Sequence, residues 1–119
     1  MHVRKTGALI RASASAGVVI GGGSDAQIEA IGQAGAEFGL AFQIIDDVLD
    51  VEGASVDLGK TAGKDAAAGK PTYPALYGLD ASKRMAQECL DRASAVLGAV
   101  HLADSRLLEI GRWIVERNN

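Results

Sequence analysis

The amino-acid sequence predicts an all-α protein, and three observations support this prediction. Hydrophobic residues make up 48% of the 119 residues but aromatic residues only 4%, so alanine and aliphatic side chains dominate, and alanine is the strongest helix former. Between Ile28 and Leu49, apolar or small residues recur at steps of three and four, which is the spacing of one helix face. The sequence contains no alternating strand pattern and no hairpin turn between β-branched runs.

Three consecutive glycines separate the first two predicted helices. The first helix is expected from about Lys5 to Ile20, and Gly21–Gly23 end it because glycine suits the geometry of a helix C-terminus. Ser24 and Gln27 then give the spacing of a capping box, in which each residue satisfies a backbone N–H of the other. A second helix is therefore expected to begin at this point.

The second helix contains internal glycines at positions 32, 35 and 39. Each costs about 1 kcal/mol relative to alanine in a helix. We expect a neighbouring helix to approach closely at these positions, which would make the second helix the central one.

The helical pattern dissolves from Glu52 to Lys70, where glycines and lysines alternate, and this segment is predicted to be a loop. A short helix is expected over Pro71–Leu79, with Pro71 near its start. A longer helix should follow, capped by Asp80 or Ser82 and ending near Leu97. Its inner side should carry Met85, Leu90, Ala93 and Leu97.

The last helix is expected to open at Asp104 or Ser105. Its inward positions are predicted to be Leu107, Ile110 and Ile114. Trp113 is interpreted as a packing anchor.

Charge and cysteine content exclude several classes of protein. The net charge of −3 argues against a general nucleic-acid binder, whose surface is strongly basic. No apolar stretch approaches the roughly 20 residues that a membrane span needs, so a soluble protein is expected. Cys89 is the single cysteine, so no intrachain disulfide forms, and a cytoplasmic location is predicted. Cys89 is interpreted as a core thiol, because it lies among alanine, methionine and leucine.

An acidic cluster closes the second helix. Gln43, Asp46, Asp47 and Asp50 share a helix face about 100° wide. The carboxylates repel one another, and they lie at the helix end that disfavours anions. A solvated acidic helix end and a site for Mg²⁺, which prefers hard oxygen ligands, are both compatible with this spacing.

Basic residues favour the magnesium interpretation. Lys60, Lys64 and Lys70 follow in the glycine-rich loop, and Lys5 opens the first helix. Carboxylates beside lysine-bearing loops are what a magnesium–diphosphate site requires, because the metal bridges carboxylate to phosphate and lysines supply positive charge. Any one of these lysines alone is more simply a solvated surface charge.

Several segments in order resemble the trans-prenyl diphosphate synthase family, which makes farnesyl and geranylgeranyl diphosphate. Residues 5–9 (KTGAL) are similar to the family's Lys-Thr motif, and residues 42–50 (FQIIDDVLD) to its second aspartate-rich motif. Residues 58–65 (LGKTAGKD) and 69–76 (GKPTYPAL) resemble the loop that follows this motif. The resemblance covers nearly the whole chain and implies the C-terminal portion of a helical bundle of the isoprenoid synthase type.

The resemblance also implies an activity and roles for particular residues. An allylic diphosphate would ionise, isopentenyl diphosphate would attack the carbocation, and a proton would be lost, with Mg²⁺ as cofactor. Asp46 would ligate Mg²⁺ directly, supported by Asp47 and Asp50. The implied diphosphate ligands are Lys5 and Lys60, with Lys70 a weaker candidate, and Phe42 belongs to the same substrate site. Thr6 and Gln43 would direct oxygen dipoles at the carbocation.

The chain departs from the family in length, because the first aspartate-rich motif lies upstream of the matched region in family enzymes. Residues 1–119 are therefore interpreted as a C-terminal fragment of the synthase domain, inactive alone and associating with itself, as a dimer, or with the N-terminal half. Two alternatives stay open: a non-catalytic all-α interaction module, and a terpene cyclase that ionises diphosphates. The ending of the chain resembles short-chain synthases, so a farnesyl or geranylgeranyl product is expected.

Overall fold

The computed structural model describes the backbone of residues 2–56 and 71–118, and the side chains of residues 5–53 and 71–118. No strand occurs within this part of the chain, and the all-α prediction is confirmed. The helices in the described ranges are α1 (His2–Ile20), α2 (Asp25–Val56), α3 (Tyr73–Tyr77), α4 (Leu79–Gly98) and α5 (Arg106–Glu116).

Helix α2 is the centre of the structure, as its glycines predicted. It packs extensively against α1 on one side and α4 on another, and it also contacts α3 and α5. One hydrophobic core joins α2, α4 and α5, and its largest fully buried apolar side chains are Phe38, Ile44, Leu97 and Val48. The packing of α2 on several sides explains how a helix with four glycines remains stable.

The crossing of α1 over α2 depends on two glycines of α2. A Cβ atom added at Gly39 would lie 2.6 Å from the Cα atom of Gly7, and one added at Gly35 would lie 2.9 Å from the Cα atom of Arg11. Real Cβ atoms do not approach backbone atoms this closely, so any side chain at these positions would push the helices apart. The close approach predicted from the sequence is confirmed.

The junction between α1 and α2 also follows the prediction. The N–H of Gly23 donates to the Val18 carbonyl (2.9 Å) and that of Gly22 to the Val19 carbonyl (3.1 Å), which is the Schellman pattern with a left-handed glycine. Gly22 has a φ of 77°. The backbone N–H of Ser24 donates to Gln27 Oε1 (3.0 Å), and the N–H of Gln27 donates to Ser24 Oγ (3.1 Å). The capping box is confirmed.

Several predicted helix boundaries are wrong. Helix α2 continues through Glu52 to Val56, and Glu52 is held there by an ion pair with Lys83 of α4 (3.0 Å). Helix α3 begins after Thr72 rather than at Pro71. The Thr72 hydroxyl accepts a hydrogen bond from the N–H of Ala75, and Pro74 occupies the first turn.

Helix α4 begins at Leu79, after Gly78, so neither Asp80 nor Ser82 is its N-cap. The Ser82 hydroxyl donates instead to the Gly78 carbonyl (2.7 Å). Of the predicted inner residues, Leu90, Ala93 and Leu97 are buried, and Met85 packs partly buried against the core.

The prediction for α5 has the correct start, and of its predicted inward residues Ile114 is buried and Leu107 packs partly buried against the core, whereas Ile110 is wrong. The helix follows Ser105, but Ile110 is 54% exposed and Leu108, Gly111 and Ile114 are the buried positions. Gly111 decides the phase, because a Cβ atom there would overlap the Phe38 ring of α2. Trp113 is exposed as a result, so its interpretation as a packing anchor is wrong.

Substitution of Gly39 by alanine tests the helix crossing. We expect Gly39→Ala to lower the free energy of unfolding by about 1–3 kcal/mol, because the new methyl group meets the α1 backbone. Gly53→Ala is the matched control on the same helix, because nothing lies within 4 Å of a Cβ atom at that position. The control should raise stability by about 0.5–1 kcal/mol through helix propensity. Urea denaturation followed by circular dichroism measures both; equal effects would contradict the crossing.

Candidate functional site

The acidic residues lie within α2, and the prediction that they close this helix is wrong, because α2 continues for six residues beyond Asp50 to Val56. They are therefore more than one turn from the helix end that disfavours anions. Ile44, Ile45 and Val48 are buried and fix the rotation of the helix. The Asp46 side chain is consequently exposed, at 61% of its free surface, whereas Asp47 is half-buried. Asp50 lies one turn after Asp46 on the same helix and is also half-buried.

Asp47 is held by the protein on both of its carboxylate oxygens. Gln43 Nε2 donates to Asp47 Oδ1 (2.9 Å), and the backbone N–H of Tyr73 donates to Asp47 Oδ2 (3.2 Å). The second bond joins α2 to the start of α3, between residues that are 26 positions apart in the sequence. Both Asp47 oxygens are therefore engaged by the protein, and Asp46 offers the more accessible carboxylate of the two.

A basic residue that the sequence analysis did not select completes this surface. Arg117 follows α5, and its guanidinium carbon lies 4.6 Å from the Phe42 ring centroid and 6.0 Å from that of Trp113. Its Nη2 atom lies 3.9 Å from Asp46 Oδ1, and the side chain is only 10% exposed. Arg117 thus supplies positive charge that α2 lacks, because α2 contains no lysine or arginine.

Lys5 and Thr6 lie on α1 immediately before Gly7, which touches Gly39 of α2. Gly39 is one helical turn before Gln43, so the crossing brings the Lys-Thr motif towards the polar face of α2. Lys5 is exposed and Thr6 is half-buried. The predicted ligands Lys60 and Lys70, together with Lys64, lie outside the described residues.

The carboxylate oxygens on the polar face of α2 fit a Mg²⁺ ion that also binds a phosphate. Within the described residues no group of three or more His, Cys, Asp or Glu side chains is arranged to hold an ion on its own. Magnesium does not require such a group, because it commonly uses one or two protein carboxylates and takes its other oxygens from water and phosphate. Asp46 fits the first requirement, and the predicted roles of Asp46, Asp47 and Asp50 stay predictions.

Cys89 is a core thiol, as predicted. It is 1% exposed, and burial, with a smaller contribution from Glu37, raises the pKa of its thiol to about 11. Arg92 opposes this shift, and its Nη2 atom lies 3.3 Å from the sulfur while the guanidinium forms two hydrogen bonds to Glu37. The thiol is therefore protonated and unreactive near neutral pH.

Residues 1–102 match the polyprenyl synthetase family. The chain is 43% identical over 120 residues to geranylgeranyl pyrophosphate synthase 10, mitochondrial, from Arabidopsis thaliana, covering 100% of this chain and 35% of that protein. It is 51% identical over 88 residues to geranylfarnesyl diphosphate synthase, chloroplastic, from Leucosceptrum canum, covering 74% of this chain and 24% of the relative. Heterodimeric geranylgeranyl pyrophosphate synthase large subunit 1, chloroplastic, from A. thaliana is 42% identical over 120 residues, covering 100% and 32%.

An all-α chain with this aspartate-rich helix is expected of the isoprenoid synthases, and the match identifies which group of them. The chain belongs to the polyprenyl synthetase family. It spans about a third of the length of the curated relatives that it matches end to end. Among the described residues, no helix is both long and apolar enough to cross a membrane.

The double anchoring of Asp47 can be tested with a matched pair of substitutions. Asp47→Asn should lower the free energy of unfolding by about 1–2 kcal/mol, because the amide offers one acceptor oxygen to two N–H donors. Asp91 of α4 also accepts a hydrogen bond from a glutamine four residues earlier, Gln87 (3.1 Å), but this pair is exposed. Asp91→Asn should therefore change stability by less than about 0.5 kcal/mol. Hydrogen exchange at the Tyr73 amide should accelerate only in Asp47→Asn; unchanged exchange would contradict the anchor.

Proposed function

We propose that this chain forms the C-terminal part of a prenyltransferase that condenses an allylic diphosphate with isopentenyl diphosphate to a farnesyl or geranylgeranyl diphosphate. The observation that supports this most directly is the exposed Asp46 carboxylate, on a helix whose other face is fixed in the core. The names of the geranylgeranyl pyrophosphate synthase relatives support the same reaction class. The family match favours this proposal over the terpene cyclase alternative.

Asp46 would hold Mg²⁺ directly, and Asp47 and Asp50 would support it through water. The ion, when bound, would stabilise the negative charge that develops on the departing diphosphate. Asp47 suits an indirect role because both of its oxygens already accept hydrogen bonds from the protein. Lys5 and Lys60 would bind the allylic diphosphate, with Lys70 a weaker contact, because lysine supplies a compact positive charge to phosphate oxygens.

Gln43 would direct its amide oxygen at the positive charge of the allylic cation. Its Nε2 atom donates to Asp47, so the hydrogen bond fixes the amide plane and turns Oε1 away from the Asp47 carboxylate. Thr6, on the crossing helix, would contribute a second oxygen dipole. Phe42 would line the same site, one residue before Gln43, and its ring is held by the Arg117 guanidinium.

A condensation assay tests the proposed activity. The 119-residue chain with Mg²⁺, an allylic diphosphate and isopentenyl diphosphate should give no turnover alone, because the family's first aspartate-rich motif is not in this sequence. Co-expression with the N-terminal region of a family relative should restore condensation. Asp46→Ala should abolish the restored activity, and Asp91→Ala, on the outer face of α4, should leave it unchanged. Turnover by the isolated chain would contradict the fragment proposal.

The same experiment addresses the alternative of a non-catalytic interaction module. Exposed apolar side chains on α1 favour association, since Leu9 is 68% and Ile20 is 87% exposed. A relative named as the large subunit of a heterodimeric synthase has similar sequence over this whole chain. Binding of the N-terminal region without condensation would support the interaction module, and self-association measured by sedimentation would support a homodimer. The cytoplasmic location stays a prediction, since the relatives above are named mitochondrial or chloroplastic.

A further inference from the structure

Arg117 combines a nearly buried side chain with a guanidinium edge that forms no hydrogen bond. The side chain is 10% exposed, and its Nε and Nη2 atoms are buried without a hydrogen-bond partner. These two atoms form one edge of the guanidinium, the edge that pairs with a carboxylate through two parallel hydrogen bonds. Burial of these two N–H donors without partners costs free energy, because they lose hydrogen bonds to water and gain none in the protein.

Asp46 is the acidic group that the structure places beside this edge. Its Oδ1 atom lies 3.9 Å from Arg117 Nη2, which is within range of charge attraction and too long for a hydrogen bond. The Phe42 ring, 4.6 Å from the guanidinium carbon, fixes the cation against α2. Arg117 therefore attracts the carboxylate from a fixed position without bonding it tightly.

We propose that Arg117 is a positioning residue that serves as the resident counter-ion of Asp46 and yields the carboxylate to a divalent cation. This inference rests on the proposed function, because it assumes that Asp46 is the direct Mg²⁺ ligand. The guanidinium reduces the repulsion between Asp46 and the neighbouring carboxylates of α2 while no metal is bound. It also competes with Mg²⁺ for Asp46, because both carry positive charge and the ion would lie close to it.

If Arg117 competes with Mg²⁺, removal of its charge should strengthen Mg²⁺ binding, and a purely structural role would not produce this increase. Arg117→Met retains a long apolar side chain over Phe42 and removes the charge, so Mg²⁺ should bind about three- to tenfold more tightly than to the unaltered chain. Arg117→Lys retains the charge and should stay within about twofold of the unaltered chain. In an Asp46→Asn background, Arg117→Met should have no effect on affinity. Isothermal titration calorimetry with MgCl₂ measures all of these chains.

Arg106→Met, at the first residue of α5, is the matched control, because the Arg106 side chain is 94% exposed and pairs with Glu109. It should leave the Mg²⁺ affinity unchanged. Equal or weaker Mg²⁺ binding by Arg117→Met would overturn the inference alone, whereas no Mg²⁺ binding by either chain would contradict the proposed function and the inference with it.

A second measurement uses the unaltered chain and does not depend on the folding of a variant. The Nε–H resonance of Arg117 in a ¹⁵N-labelled sample should shift as MgCl₂ is added, because the cation draws the Asp46 carboxylate away from the guanidinium. The shift should be absent in Asp46→Asn. Saturation with Mg²⁺ without movement of this resonance would overturn the inference.

Discussion

The contact between Gly7 of α1 and Gly39 of α2 is the constraint on which the other features depend. Because Gly39 carries no side chain, the α1 backbone at Gly7 lies so close to it that a Cβ atom on Gly39 would be only 2.6 Å from the Gly7 Cα atom. Helix α2 can then pack against α1 through glycine, against α4 through apolar side chains, and against α5 through Gly111. Packing on these sides fixes the rotation of α2 and therefore the direction of its polar residues.

The rotation of α2 divides the work among its acidic residues. Asp46 faces solvent, whereas Asp47 faces the start of α3 and accepts hydrogen bonds on both oxygens. The two carboxylates are neighbours in sequence and differ in environment because consecutive side chains on a helix point about 100° apart. Arg117 then supplies positive charge, which α2 lacks because it contains no lysine or arginine. The site is thus formed by the polar face of α2, the start of α3 and the residue that follows α5.

Local features of this fold could be predicted from the sequence because their causes are local. The Ser24–Gln27 capping box, the triple glycine and the aspartate spacing each act within a few residues. The glycines of α2 predicted a close helix contact, although they could not identify Gly7 as its partner. The polar face of α2 was predicted from the spacing of Gln43 and the aspartates. The direction of this face follows from the buried face of the same helix.

The features that the sequence did not predict depend on contacts between distant segments. The inward face of α5 is set by the fit of the Phe38 ring against Gly111, and the periodicity of α5 alone favoured Ile110. Helix α2 extends beyond its predicted end where Glu52 pairs with Lys83. Arg117 has an ordinary sequence context, and only the fold brings it to Phe42 and Asp46. The hydrogen bond from Tyr73 to Asp47 also joins segments that are far apart in the chain.

The most direct test of the central claim locates the bound metal on the chain. Mn²⁺, which replaces Mg²⁺ at oxygen sites, broadens the NMR signals of nuclei near it. Titration of the ¹⁵N-labelled chain with substoichiometric MnCl₂ in the presence of inorganic pyrophosphate should broaden the backbone amides of residues 43–50 first. If Asp46 is the metal ligand, Asp46→Asn should remove this broadening. Broadening that centres on another acidic residue, such as Glu37, or that persists in Asp46→Asn, would contradict the assignment of Asp46 as the metal ligand.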